Sequence, residues 1–414
     1  MERLDTPVNL EAEGAHPKQL HGTALSTPVH FAGLTGLRAL AAMGVMVTHL
    51  ELYRRRGARP SLYDLAFLSE AIGALGKHCV HFFFVLSGFL ITYLLLFEKQ
   101  SKGKIAIWQF YCRRMLRIWP VYYLILAAGF FLFPFLVQHV DILNNGSYYS
   151  TLFRNFTASG DYTATVLFFF MLPNIALLVR PPVAIASQSW SVGVEEQFYL
   201  LWPHLISRVK TSWLPWTMIA IVAVMNLLSS TARQLLAPPS KVFIVRFLEG
   251  FRVDLMAVGG FFAVLYFHQN VSLLRTIRWR AAPAVAAVSC FLVLAFSFDS
   301  KSRNLISSLA FSLVILLAAE RKLGKAGVLL ENTPLSYLGK LSYGIYMYHP
   351  MVMFLSYSTL DACGALELGW PFYIAASYAA TFSGTILISH LSYQYFERKF
   401  LLFKNRISPA PSCS

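Results

Sequence analysis

The chain has 414 residues, of which 56% are apolar and 13% charged; its mean hydropathy is +0.54 and its net charge +15. Soluble domains carry about 25% charged residues, so an ordinary cytosolic enzyme and a disordered chain are both excluded. In a chain this apolar, the excess of 35 Lys and Arg over 20 Asp and Glu belongs in the cytoplasmic loops of a multi-pass membrane protein, not on nucleic acid.

Residues 1–30 are polar and lack the basic end, apolar run and small-residue cleavage site of a signal peptide, so they read as a loose cytoplasmic tail. A membrane-spanning helix needs about 20 mostly apolar residues. On that criterion the chain predicts spans at 34–53, 79–97, 118–136, 192–207, 213–229, 253–268, 282–297, 304–319, 341–358 and 371–391. The run 164–179 is interrupted by Pro173 and followed by Arg180-Pro181-Pro182. It reads as a re-entrant or interfacial segment, with an eleventh span as the alternative. The expected fold is an all-α polytopic membrane bundle of ten or eleven helices, forming one membrane domain over 31–400 between tails at 1–30 and 401–414.

Ten spans put both ends of the chain on one side. The loops on that side, 98–117, 208–212, 269–281, 320–340 and 392–414, carry 19 cations, or 21 with Arg3 and Lys18, against 13 in the opposite loops. This bias predicts cytoplasmic termini. Arg54, Arg55, Arg56 and Arg59 run against it, since they fall on the outer side. The cysteines at 79, 112, 290, 363 and 413 include no CxxC pair, and the chain has no HExxH, GxxxxGK[ST] or GxSxG. No metal site and no bound cofactor are expected.

Ionisable residues inside spans are costly and mark function. The first span holds Arg38 and His49. Eleven residues at 100° each bring them back to one helix face, about 16 Å apart along the axis. Taken singly, Arg38 fits a snorkelling anchor and His49 a packed histidine bonded to backbone; sharing a stripe weakens both readings. The stretch FYCRRMLRIWP, 110–120, puts Arg114 and Arg117 on one face with Arg113 beside them. Guanidinium forks suit phosphate oxygens, although arginines at a cytoplasmic mouth also serve as topology anchors. Trp119 and Tyr122 fit an aromatic belt. Glu195 and Glu196, in SQSWSVGVEEQFYLLWP, fall at about the depth of His49. They fit either a helix N-terminal cap or a carboxylate that fixes the tautomer of that imidazole. His349 lies mid-span before Pro350, where a helix break exposes backbone; Tyr343, Tyr346 and Tyr348 nearby fit a polar lining or an interface belt.

These segments resemble, in order, the membrane-bound acyltransferase-3 family. The likeness is carried by Arg38 with ten residues before His49, FFFVLSGFLITYLL at 82–95, FYCRRMLRIWPVYYL at 110–124, SWSVGVEEQFYLLWP at 189–203 and YGIYMYHPM at 343–351. Members transfer acyl groups, usually acetyl, from cytoplasmic acyl-CoA to hydroxyls of surface or exported glycans and related acceptors. The resemblance implies that Arg38 and His49 stand in or near the active site and that Arg114 and Arg117, flanked by Arg113, face acyl-CoA. It also points to the Glu195-Glu196 segment, and it suggests His349, Tyr346 and Ser87 as substrate-lining. Two departures stand out. Many members carry an acidic residue before the FFVLSGF run, where this chain has Lys77-His78-Cys79-Val80-His81. Some carry a hydrolase-like SGNH domain, which is expected to be absent here, so transfer is completed in the membrane part or by an accessory transferase.

The mechanism expected on this basis has His49 as general base on the acceptor hydroxyl, worth about 10²–10⁴-fold. Glu195 or Glu196 would orient it, Arg38 would hold the CoA arm or the oxyanion, and Arg114 and Arg117 would grip the CoA phosphates. A covalent acyl-protein relay remains open. The expected partners are acyl-CoA, a glycan, glycolipid or other hydroxyl acceptor, and membrane lipid; no nucleic acid is expected. The expected location is a bacterial plasma membrane. A transporter or flippase is the competing class, because intramembrane Arg, His and Glu also mark transport pathways.

Overall fold

The computed structural model describes residues 31–237, 240–268 and 300–407. These residues form helices and connecting turns, with no strand among them. The expected tail at 1–30, the loop 269–281 and the span 282–297 lie outside the described residues.

The chain opens with α1 (Ala32–Arg56), α2 (Ala66–Lys102) and α3 (Ile107–Ala127). A π-turn at Ala128–Leu132 carries α3 into α4 (Phe133–His139). Short helices α5 (Tyr148–Ser159), α6 (Thr163–Phe169) and α7 (Pro173–Val179) follow. Next come α8 (Trp190–Arg208), α9 (Leu214–Leu235), α10 (Ser240–Phe251) and α11 (Val253–Phe267). The described chain ends with α12 (Ser300–Ala319), α13 (Lys325–Leu330), α14 (Thr333–Ala362), α15 (Trp370–Ser392) and α16 (Arg398–Ile407).

The fold is an all-α polytopic membrane protein, and six of its helical runs are long and apolar enough to cross a bilayer. The run 164–179 breaks at Pro173 into two helices of seven residues each, and neither alone is long enough to span. The segment before 253 is helical as well, because α10 and α11 form one apolar run bent at Arg252, whose φ is +48°. The expected C-terminal tail begins as helix, up to Ile407. Helices α8 and α14 fall outside the six, and they are the ones that carry Glu195, Glu196, Tyr346 and His349. Their polar residues lower the hydropathy because they face the protein interior.

Helix α1 runs through the middle of the bundle, against α2 and α14, and small residues let it approach its neighbours. A methyl group on Gly44 would strike Cys79 Sγ of α2, and one on Gly339 of α14 would strike the Thr35 carbonyl. Helices α2 and α11 also pack closely, and their Gly88 and Gly259 interleave so that a side chain on either would land on backbone of the other helix. Lys99 Nζ donates to the carbonyls of Ile206, Ser207 and Val209 at 2.8, 3.3 and 3.0 Å, closing the C-terminus of α8 onto α2.

The cations that run against the charge bias have partners. Glu51 and Arg54 are fully buried and form an ion pair one turn apart on α1. Glu51 also accepts from the Leu62 N–H (2.7 Å), Ser61 Oγ (2.9 Å) and Tyr378 OH (2.6 Å). Arg59 pairs with Asp361, and Arg56 donates to Tyr148 OH at 3.1 Å. Three of these four cations are therefore held in contacts that join α1 and the turn after it to α5, α14 and α15.

Candidate active site

Two chambers flank α1. The larger, about 660 Å³, is lined by Arg38, Ser87, Arg114, Arg117, Glu195, Tyr199 and Tyr346, with Lys340 and Arg398 also on its wall. Its volume falls in the ordinary range for small-molecule sites, about 300–1,000 Å³. Five cations and two carboxylates, Glu195 and Glu397, line it. A half-buried wall with this balance suits an anionic ligand.

The helical register of α3 sorts its three arginines. Arg114 and Arg117 share a face and reach the chamber, whereas Arg113, 100° away, pairs with Glu98 at 3.4 Å and is not on the chamber wall. The Arg114 guanidinium sits 5.5 Å from the ring centres of both Phe110 and Tyr199, which fix its plane. Glu195 is held from two sides: Ser87 Oγ donates to Oε1 at 2.9 Å and Tyr199 OH donates to Oε2 at 2.7 Å. Glu196, the next residue along the helix, points elsewhere and accepts from Trp119 Nε1 at 3.0 Å. Trp119 and Tyr122 are not belt residues, because Tyr122 is fully buried and donates to the Phe168 carbonyl at 2.7 Å.

The smaller chamber, about 260 Å³, is lined by His49, Tyr53, Arg56, Tyr148, Tyr149, Gln188 and Trp190, among others. His49 Nδ1 lies 2.6 Å from His349 Nε2, with the two rings edge to edge, their centres 4.9 Å apart and their planes 15° from parallel. His349, expected to line the substrate site, is buried and is on the wall of neither chamber. Neither glutamate orients His49; the partner of its Nδ1 is a second histidine. Arg38 and His49 share a stripe, but they face different chambers.

A hydrogen-bonded pin links the walls of the two chambers. Tyr346 OH, on the larger one, lies 2.7 Å from Ser191 Oγ and donates to the Gln188 carbonyl at 2.9 Å; Gln188 lines the smaller one. Gln188 Nε2 in turn donates to the Met347 carbonyl at 2.9 Å.

Sequence reasoning missed several of these groups. Tyr199 lies four residues after Glu195, on the same helix face, and that spacing was a usable signal. Lys340 and Arg398 reach the larger chamber from distant segments, and nothing local marks them. Tyr148 and Tyr149 line the smaller chamber because the fold brings α5 against the end of α1, where Arg56 donates to Tyr148 OH.

A polytopic helical protein with an arginine-lined chamber on one side of a buried imidazole pair is the class these features define. Residues 31–390 match the acyltransferase-3 family, an acyltransferase domain, and the chain belongs to that family. It is 26% identical over 385 residues to the peptidoglycan O-acetyltransferase OatA of Listeria monocytogenes, an alignment covering 88% of this chain and 54% of that protein. It is likewise 26% identical over 394 residues to the O-acetyltransferase OatA of Staphylococcus aureus, covering 90% and 57%. The chain thus spans just over half the length of these relatives. No solved structure matches it.

Proposed function

We propose that the protein transfers an acyl group, acetyl first among candidates, from acyl-CoA to a hydroxyl of a glycan at a bacterial plasma membrane. The observation that carries this reading is the placement of Arg38, Arg114 and Arg117 on one chamber and of His49 on the next, in a chain of the acyltransferase family. The larger chamber takes the CoA end from the cytoplasmic side, with the arginine forks on phosphate oxygens. The thioester passes the Tyr346 pin toward His49. The acceptor hydroxyl enters the smaller chamber, whose tyrosines and Trp190 offer stacking faces for a sugar ring.

His49 takes the hydroxyl proton as the oxygen attacks the thioester carbonyl; the tetrahedral intermediate collapses, the C–S bond breaks and CoA leaves as its thiolate. Ser87 and Tyr199 hold Glu195 in place, so that its charge offsets part of the cationic wall beside the thioester path.

Purified protein in detergent, given radiolabelled acetyl-CoA and solubilised peptidoglycan fragments, is expected to release CoA and label the glycan in equal amounts. Peptidoglycan is the first glycan to test because the relatives' names point to it. His49→Ala is expected to lower transfer at least about 100-fold, the low end of what a general base contributes. Full activity in that variant refutes the base assignment. No CoA release by the wild-type protein on any glycan favours a transporter.

A further inference from the structure

We infer that the His349-Pro350 pair sets the tautomer of His49, leaving Nε2 of His49 as its free basic atom. This deepens the reading of His49 as base and rests on it. The argument starts at Pro350, which has no N–H and sits inside α14. An interior proline deprives the carbonyl four residues earlier of its helical donor. That carbonyl is Tyr346's, and a buried carbonyl without a donor is costly.

His349 supplies the donor. Its Nδ1 lies 2.8 Å from the Tyr346 carbonyl oxygen and 3.2 Å from that of Ile345. Carbonyl oxygens only accept, so Nδ1 carries the proton. A neutral imidazole has one N–H, so Nε2 of His349 is an acceptor. His49 Nδ1, 2.6 Å away, must then donate to it. The proton of His49 is thereby fixed on Nδ1, and its lone pair is on Nε2. The chain of donors runs in one direction, from His49 to His349 to the Tyr346 carbonyl.

The same geometry decides which histidine is the base. Both ring nitrogens of His349 are engaged, and the residue is 1% exposed and lines neither chamber. His49 borders the smaller chamber. An imidazole backed by a backbone carbonyl here fills the position that a carboxylate fills in a hydrolase triad. His349 is accordingly a positioning residue: it acts through His49 and touches no substrate. Arg56 also borders the smaller chamber, and among the described residues no carboxylate lines its wall.

Three proteins separate this role from mere packing. His349→Gln presents an amide oxygen that can accept from His49 Nδ1. His349→Ala presents none, and it frees His49 to adopt the Nε2–H form. Nitrogen-15 NMR of histidine-labelled full-length protein, with the His49 signals assigned by their loss in His49→Ala, reads the tautomer without any turnover. The expected result is the Nδ1–H form in wild type and His349→Gln, and a shift toward Nε2–H in His349→Ala. In the acetyl-CoA and peptidoglycan-fragment assay, His349→Ala is expected to lose about 100-fold in kcat, of the order a general base supplies, with KM for acetyl-CoA unchanged. His349→Gln should recover to within about tenfold of wild type.

An Nε2–H tautomer in the wild-type protein overturns the inference. So does a His349→Ala protein with wild-type kcat, or a folded His349→Gln protein as slow as His349→Ala. A fully active His49→Ala protein instead overturns the base assignment, leaving the NMR result to stand on its own.

Discussion

Replacing Arg114 with Ala tests whether the larger chamber binds CoA phosphates. The ion pairs of the described residues engage Arg113 but neither Arg114 nor Arg117, so both guanidiniums remain available to a ligand. A charge-assisted hydrogen bond contributes about 1.5–3 kcal/mol, which predicts a KM for acetyl-CoA raised about 10- to 150-fold. Arg38 and Arg117 keep the chamber cationic, which favours the lower half of that range. The control substrate is acetyl-pantetheine, which keeps the thioester and lacks the nucleotide phosphates. Its kcat/KM should change less than about threefold, because its contacts lie along the chamber rather than at the guanidinium. Arg114→Lys should fall between, since it keeps the charge but loses the fork and the stacking on Tyr199. Equal losses on both substrates, or an unchanged KM for acetyl-CoA, would show that this arginine anchors the helix and binds no phosphate.

Two further predictions address the pin and the helix packing. Tyr346→Phe removes the hydroxyl that links Ser191 to the Gln188 carbonyl, about 1 kcal/mol per hydrogen bond. It should join the chambers and admit water to the thioester, so CoA release should exceed acetyl-glycan formation; a one-to-one ratio would refute the pin. Gly259→Ala drives a methyl onto the Val85 carbonyl and should cost about 1–3 kcal/mol, read as a lower melting temperature in detergent. Gly250→Ala, with nothing within 4 Å of the new methyl, is the matched control and should melt no lower than wild type.

The sequence foretold most of the helices because their cause is local. A bilayer demands long apolar runs, and α1, α2, α9, α11 and α15 stand where hydropathy placed them. The eleven-residue step from Arg38 to His49 likewise gave their common stripe, since helical geometry alone determines it. What stayed hidden depends on which helices meet. His49 and His349 are 300 residues apart, and no periodicity pairs them. Glu195 and Glu196 read as a unit because they are neighbours in sequence, whereas the 100° between them sends one to the chamber and the other to Trp119. Arg54 read as an outer-side cation; Glu51, its partner, is one helical turn away, but the burial of the pair depends on Ser61 and Tyr378 closing on Glu51, which no local spacing shows.

The separation of arginines from imidazoles bears on how water is kept from an activated thioester. A base inside the chamber proposed to take the CoA end would activate any water that entered beside the donor thioester. His49, the proposed base, borders the other chamber, about 16 Å along α1 from Arg38. One helix carries both residues and sets that distance, so in the proposed mechanism the donor grip and the proton acceptor are held apart. The spacing also sets direction. A shift of one residue between Arg38 and His49 would turn His49 by about 100° and move it about 1.5 Å, taking Nδ1 off His349 and Nε2 off the smaller chamber. The number of intervening residues is therefore constrained from both ends: by the chamber that Arg38 faces and by the imidazole that His49 must meet.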